Sequence, residues 1–120
     1  MGVRARILVI DDDEQVLQLV EDVLAGRFDV VGVGDPFEGL ELLRRETFDL
    51  LILDLGMPNL DGAQLIGLVR TNSTNREIPI LVMSAFDELR RKVANLPVQD
   101  VVTKPFDLDA LEKKVKDVVA

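Results

Sequence analysis

Four apolar residues in a row, Leu50, Leu51, Ile52 and Leu53, followed at once by a carboxylate, Asp54, and then by Gly56 and Pro58, constrain this chain more than any other stretch. A run this short and uniformly apolar reads as a strand covered on both faces, the situation of an interior strand in a parallel sheet. Gly56 and Pro58 then force a turn. Asp54 therefore stands at the exit of a central strand, on the carboxyl edge of the sheet, where open α/β folds place their sites. A lone aspartate there reads as the start of a loop. What gives it weight is that other strands also end on chemically suitable groups.

Apolar runs closed by turns recur along the chain. Arg6 to Ile10 reads as a first strand, ending on Asp11, Asp12 and Asp13. Val16, Leu17, Val20, Val23 and Leu24 then fall on one face of a helix, with Gly26 as its stop. Residues 28–33 read as a second strand. Asp35 and Pro36 make an N-cap and first-turn pair for a second helix striped by Phe37, Leu40, Leu42 and Leu43. The third strand covers 49–53, and Asp61-Gly62 opens a helix carrying Leu65, Ile66, Leu68 and Val69. A fourth strand over 78–83 runs into Ser84-Ala85, and a short helix is expected over 87–94. A fifth strand over 98–103 ends at Lys104-Pro105. Asp107 caps a last helix that buries Leu108, Leu111, Val115, Val118 and Val119. Five strands alternating with five helices, with no linker-like break, predict a single domain over 1–120: an α/β fold with a doubly wound parallel sheet and right-handed crossovers.

Composition narrows the chemistry. The chain has no cysteine and no histidine, which excludes disulfides, thiolate chemistry, imidazole metal ligands and Ser-His catalysis. Its net charge of −8, from 14 basic and 22 acidic residues, argues against a nucleic-acid surface. With no Trp, no Tyr and five Phe, platforms for stacking bases or a flavin ring are lacking. No apolar run approaches the roughly 20 residues of a membrane span. The short run after Arg4 and Arg6 carries no signal-peptide signature, so a cytoplasmic protein is expected.

In a parallel sheet all carboxyl ends lie along one edge. Strand one delivers Asp11, Asp12 and Asp13, strand three Asp54, strand four Ser84 and strand five Lys104. Clustered carboxylates repel unless a cation sits among them, and hard oxygen ligands without His or Cys suit Mg²⁺ or Mn²⁺. An ammonium and a small hydroxyl on neighbouring strands are natural partners for the remaining oxygens of a phosphoryl group. The constellation reads as a site for phosphoryl transfer to a carboxylate. Each piece alone has a plainer role: Asp13 caps the first helix, Ser84 is a loop hydroxyl, and Lys104 is a surface charge. Their joint appearance at four strand ends carries the reading.

These residues make the chain resemble the receiver domain of bacterial response regulators over essentially its whole length. The resemblance rests on Ile7-Leu8-Val9-Ile10-Asp11-Asp12-Asp13, residues 49–58, Asp61-Gly62, Met83-Ser84-Ala85 and Thr103-Lys104-Pro105-Phe106. It implies a flavodoxin-like sheet in the order 2-1-3-4-5. By the same resemblance Asp54 is the phosphoacceptor, served by a sensor histidine kinase, a phosphotransfer protein or a small phosphodonor. Asp12 and Asp54 with the backbone carbonyl of Gly56 would hold Mg²⁺, and Asp11 a metal-bound water. Ser84 would be the switch hydroxyl, Lys104 its salt-bridge partner, and Ala85 the small residue that leaves room for phosphoryl access. The protein would be a regulatory phosphoacceptor rather than an enzyme, acting on an output domain or partner, with a homodimer among the family's options.

The chain departs from the family at Val101, where an aromatic residue usually stands, and in the approach to strand five, Asn95-Leu96-Pro97-Val98-Gln99-Asp100. A short or irregular fourth helix is expected, with a switch read out without the aromatic rotamer. Three other readings compete. One is a receiver-like interaction module that never carries phosphate, against which every phosphorylation-site group is present. A phosphatase of the dehalogenase type needs a second Asp two residues after the nucleophile, where Gly56 stands. A flavodoxin-like electron carrier lacks a phosphate-cradling loop and flanking aromatics.

Overall fold

Alternation along the strands decides which helices cover which face of the sheet. In a computed structural model, which describes residues 4–58, 61–85, 97–104 and 107–119, the order is β1 (Arg6–Ile10), α1 (Glu14–Leu24), β2 (Asp29–Val33), α2 (Pro36–Arg45), β3 (Leu50–Asp54), α3 (Gly62–Asn72), β4 (Ile80–Ala85), β5 (Asp100–Lys104) and α4 (Leu108–Val119). The short helix expected over 87–94 lies outside the described residues; α4 is the last helix of the sequence pattern. All pairings are parallel and the order is β2-β1-β3-β4-β5, the doubly wound arrangement expected. Ile7 and Val9 of β1, with Leu50 and Ile52 of β3, pack with Val20 and Leu24 of α1 and Leu111 and Val115 of α4. Leu8, Ile10, Leu51 and Leu53 point the other way, against Leu40 and Leu43 of α2 and Ile66 and Val69 of α3. Every residue of β3 is buried, as the uniform apolar run requires.

β1 runs over Arg6–Ile10 as expected, whereas β3, β4 and β5 sit a residue or two later than the apolar runs alone suggest. Pro79 has no N–H to give the ladder, so β4 starts at Ile80, although the Pro79 carbonyl accepts from Leu51 N–H at 3.0 Å. The ladder then runs on past Met83, pairing Ser84 with Thr103 and Ala85 with Lys104. Asp54, Ser84 and Lys104 are thus strand residues at the carboxyl edge rather than loop residues beyond it.

Helix starts follow their caps. The Asp13 carboxylate accepts from Gln15 and Val16 N–H, Asp35 from Phe37 N–H with Pro36 next to it, Asp61 from Gln64 N–H, and Asp107 from Asp109 N–H. Two details differ from the sequence reading. The end of α1 is made by Ala25 in right-handed conformation, its N–H on the Glu21 carbonyl, rather than by a left-handed glycine at 26. Phe37 is 77% exposed and lies outside the buried stripe of α2. The buried residues there are Gly39, Leu40 and Leu43, and at 100° per residue Phe37 sits about 110° around the helix from their centre.

At the opposite, amino edge, buried Asn75 closes the sheet. Its Nδ2 donates to the carbonyls of Leu43 and Glu46, both at 2.7 Å, and its Oδ1 accepts from Phe48 N–H at 2.9 Å.

Candidate functional site

Three strand ends bring their charges within contact distance. Lys104, the last residue of β5, reaches across the edge and places its ammonium 2.9 Å from Asp11 Oδ2 and 3.2 Å from Asp54 Oδ2. Asp11 follows β1 and Asp54 ends β3, neighbouring strands paired as far as Ile10 opposite Leu53, so the fold delivers both carboxylates side by side. The other oxygen of each is held by the chain's own turn: Asp11 Oδ1 accepts from Asp13 N–H and Asp54 Oδ1 from Gly56 N–H, both at 2.9 Å. Each turn is an Asx-type closure two residues on, fixing a carboxylate where the chain leaves the sheet.

The electrostatics follow from burial. Asp11 is fully buried and the Asp54 side chain is 6% exposed, while Lys104 keeps 26% of its side chain in water. Burial pushes the Asp11 carboxyl above its ordinary range and the charge of Asp54 adds to this, against the opposing pull of Asp13 N–H and Lys104. Burial alone would weaken the Lys104 ammonium, but the hydrogen bond it donates to Asp11 and the charges of Asp54 and Asp11 outweigh it and raise the group. The lysine therefore stays a cation between two acids at any physiological pH.

Asp12 completes the acidic group. Carboxylate oxygens of Asp11, Asp12 and Asp54 lie within 4.8 Å of one another, with Asp12 open to solvent. Three hard oxygen donors, one exposed so that an ion would keep part of its water shell, and no histidine or cysteine anywhere in the chain fit Mg²⁺ or Mn²⁺ rather than a softer metal.

The remaining residues named from sequence fall around this centre. Ser84 is 1% exposed on β4, one residue beyond Met83, which pairs with Asp54. Ala85 is the last residue of β4, opposite Lys104; its side chain lies outside the described atoms. Val101 pairs with Val82 and packs, half-buried, against the cluster containing Leu55 and Met57. Sequence reasoning singled out the Gly56 carbonyl and missed its N–H, which holds Asp54 in place; the signal was the Asp-x-Gly spacing. It also missed Leu55, buried at 1%, and the close approach of Gly62 to it.

A parallel sheet in this order, with paired carboxylates and a lysine at its carboxyl edge, is the architecture of a regulatory phosphoacceptor domain. The chain belongs to the response regulator receiver domain family, whose model matches residues 7–116. Among its relatives are the response regulator protein FleR of Pseudomonas aeruginosa, 36% identical over 110 residues that make up 89% of this chain and 23% of that protein. Response regulator MprA of Mycobacterium leprae is 36% identical over 114 residues, 92% of this chain and 49% of that protein. The chain thus spans half or less of the length of these curated relatives. The chemotaxis response regulator CheY4 of Vibrio cholerae superposes with a TM-score of 0.86 at 26% identity, covering 97% of this chain and 99% of that one. No helix among the described residues is long and apolar enough to cross a membrane.

Proposed function

We propose that the protein is the phosphoacceptor switch of a two-component signalling pathway, with Asp54 as the residue that takes the phosphoryl group. The observation that carries this reading is the Lys104 ammonium held 2.9 Å from buried Asp11 and 3.2 Å from Asp54. An oxygen of Asp54 attacks phosphorus while the bond to the donor breaks, leaving an acyl phosphate on Asp54 and the electron pair on the leaving group, which takes a proton when it is a nitrogen and departs as the anion when it is a carboxylate. A phosphohistidine of a sensor kinase or phosphotransfer protein, or a small acyl phosphate, has the required reactivity. Gly56 N–H on Oδ1 orients the carboxylate, and Lys104 stands where charge develops on the transferred oxygens. Asp11, Asp12, Asp54 and the Gly56 carbonyl are the groups that would hold Mg²⁺ or Mn²⁺, which when bound neutralises phosphoryl oxygens. Ser84 supplies a hydroxyl on the adjacent strand for the transferred group, with Ala85 beside it kept small. Val101, in place of an aromatic, leaves the readout of this switch to other groups packed around Leu55 and Met57. The setting is the cytoplasm, and the output is a partner or a further domain that the modified surface binds.

The test is intact mass after incubation with acetyl phosphate or phosphoramidate, with and without Mg²⁺, beside Asp54→Asn. A Mg²⁺-dependent gain of one phosphoryl group, absent from the variant, is the expected result. No gain from any donor would leave the protein as an interaction module that carries no phosphate.

A further inference from the structure

The residue after the acceptor is pressed from outside the site. Leu55 is 1% exposed, and its N–H donates to the Met83 carbonyl at 2.9 Å, which ties its backbone to the residue before Ser84. It is also the middle residue of the turn through which Gly56 N–H holds Asp54 Oδ1. On its other side stands Gly62, the first residue of α3. A Cβ at Gly62 would lie 2.4 Å from Leu55 Cδ2 and 3.6 Å from its Cγ, so the backbone of α3 rests directly on this side chain. The methyl that this Cβ would meet is the end of a flexible side chain, but that side chain is enclosed in the buried cluster under α2 and α3. The start of α3 is pinned by Asp61, whose carboxylate accepts from Gln64 N–H at 3.1 Å and whose carbonyl accepts from Leu65 N–H at 3.0 Å. Leu65 and Ile66 bury the first turns of the helix in the same cluster that encloses Leu55.

We infer that the contact between Leu55 and Gly62 sets the geometry of the Asp54 turn, which makes both of them positioning residues for phosphoryl acceptance. The inference rests on the reading of Asp54 as phosphoacceptor and adds what controls it. A methyl group at 62 must displace Leu55, and because that side chain is enclosed the displacement passes to the main chain of residues 54–56. The carboxylate then turns away from Asp11, Asp12 and Lys104. Gly67 of the same helix is the contrast, since a Cβ there meets nothing within 4 Å.

The experiment compares Gly62→Ala, Leu55→Val, the double variant and Gly67→Ala by calorimetric titration with Mg²⁺ alone and by the initial rate of phosphorylation from acetyl phosphate, with folding checked by circular dichroism. Gly62→Ala is expected to weaken Mg²⁺ binding and slow phosphorylation by about tenfold, the scale seen when a group supporting a metal ligand is disturbed. Leu55→Val leaves a small gap and costs about threefold, whereas the double variant, which conserves volume across the contact, recovers to within about twofold of wild type. Gly67→Ala leaves both readouts unchanged. Should Gly62→Ala fail to fold, the double variant must still bind Mg²⁺ more tightly than Leu55→Val. The inference is overturned if Gly62→Ala keeps wild-type Mg²⁺ affinity and rate, or if the double variant is no better than the worse single one. A wild-type protein that gains no phosphoryl group would instead remove the phosphoacceptor reading, and this inference with it.

Discussion

Replacing Lys104 by methionine removes the only positive charge that the described residues place between Asp11 and Asp54 while keeping most of the side-chain volume. At an effective dielectric of about 20, two carboxylates whose oxygens lie within 4.8 Å of each other repel by about 3.5 kcal/mol or more. The ammonium offsets that repulsion in the native protein, and its own dehydration takes part of the gain back. Because Lys104 is 26% exposed, water restores some screening once it is gone, and the expected loss of unfolding free energy without metal is about 2–3 kcal/mol. The assay is urea unfolding followed by far-ultraviolet circular dichroism, since the chain has no Trp or Tyr to report by fluorescence. Two reversals identify the cause. Millimolar Mg²⁺ should narrow the gap to wild type by taking over the neutralisation, and Asp11→Asn in the Lys104→Met background should regain most of the metal-free loss, because the amide oxygen still accepts from Asp13 N–H. The pH dependence has a fixed sign. Lys104 is raised above its ordinary 10.5, so its stabilisation is complete below that value and fades only as pH climbs through the raised one. A metal-free gap under about 0.5 kcal/mol, the size of an ordinary surface substitution, would refute this account, as would a double variant no more stable than Lys104→Met.

Asn75→Ala removes the partner of the buried Phe48 N–H and of the Glu46 carbonyl, while the Leu43 carbonyl keeps Thr74 N–H, and should cost about 2–4 kcal/mol in urea unfolding with faster amide exchange at Phe48. Phe37→Glu should shift stability by less than about 0.5 kcal/mol, whereas Leu40→Ala on the buried stripe of the same helix costs about 2–4 kcal/mol; equal effects would contradict the helix orientation. Burial would raise Asp100, but its hydrogen bond from Lys114, Val101 N–H and the lysine's charge together lower it. Its contribution is therefore present above its ordinary 3.8 and lost as pH falls through the lowered value. With both side chains more than a third exposed the pair is worth under about 1 kcal/mol, so the stability difference between wild type and Asp100→Asn, followed from pH 7 to 2, should be small and vanish at the acid end.

The acidic centre was legible because its groups stand where strand-like runs end, and termination is a local signal: Ile10 before Asp11, Leu53 before Asp54, and Val101-Val102-Thr103 before Lys104. Strand alternation with helices then places those ends on one edge without any knowledge of contacts. Register was less legible. An Ile-Pro-Ile start leaves open on which side of Pro79 pairing begins, and only the partner strands β3 and β5 settle that Ser84 lies inside β4. Phe37 misled because three-residue spacing to Leu40 resembles a stripe until the position of Leu43 fixes its centre. Asn75, bridging 32 residues back to Leu43, and the approach of Gly62 to Leu55 are tertiary facts with no local trace in composition or period.

The division of the core has a consequence for how this molecule can change over time. Leu55 and Met57, with Val101 packed against them, belong to the cluster under α2 and α3, whereas α1 and α4 close a separate cluster on the far side of the sheet that reaches the acidic edge through Met83, opposite Asp54. The sheet is a partition between two compartments. Substitutions on the buried sides of α1 and α4 are separated from the turn after Asp54 by the sheet, so that face can drift toward new docking partners with less effect on the chemistry as long as Met83 keeps its place. Substitutions under α2 and α3 have less freedom, because Leu55 and Met57, in the turn that follows Asp54, pack in the same cluster.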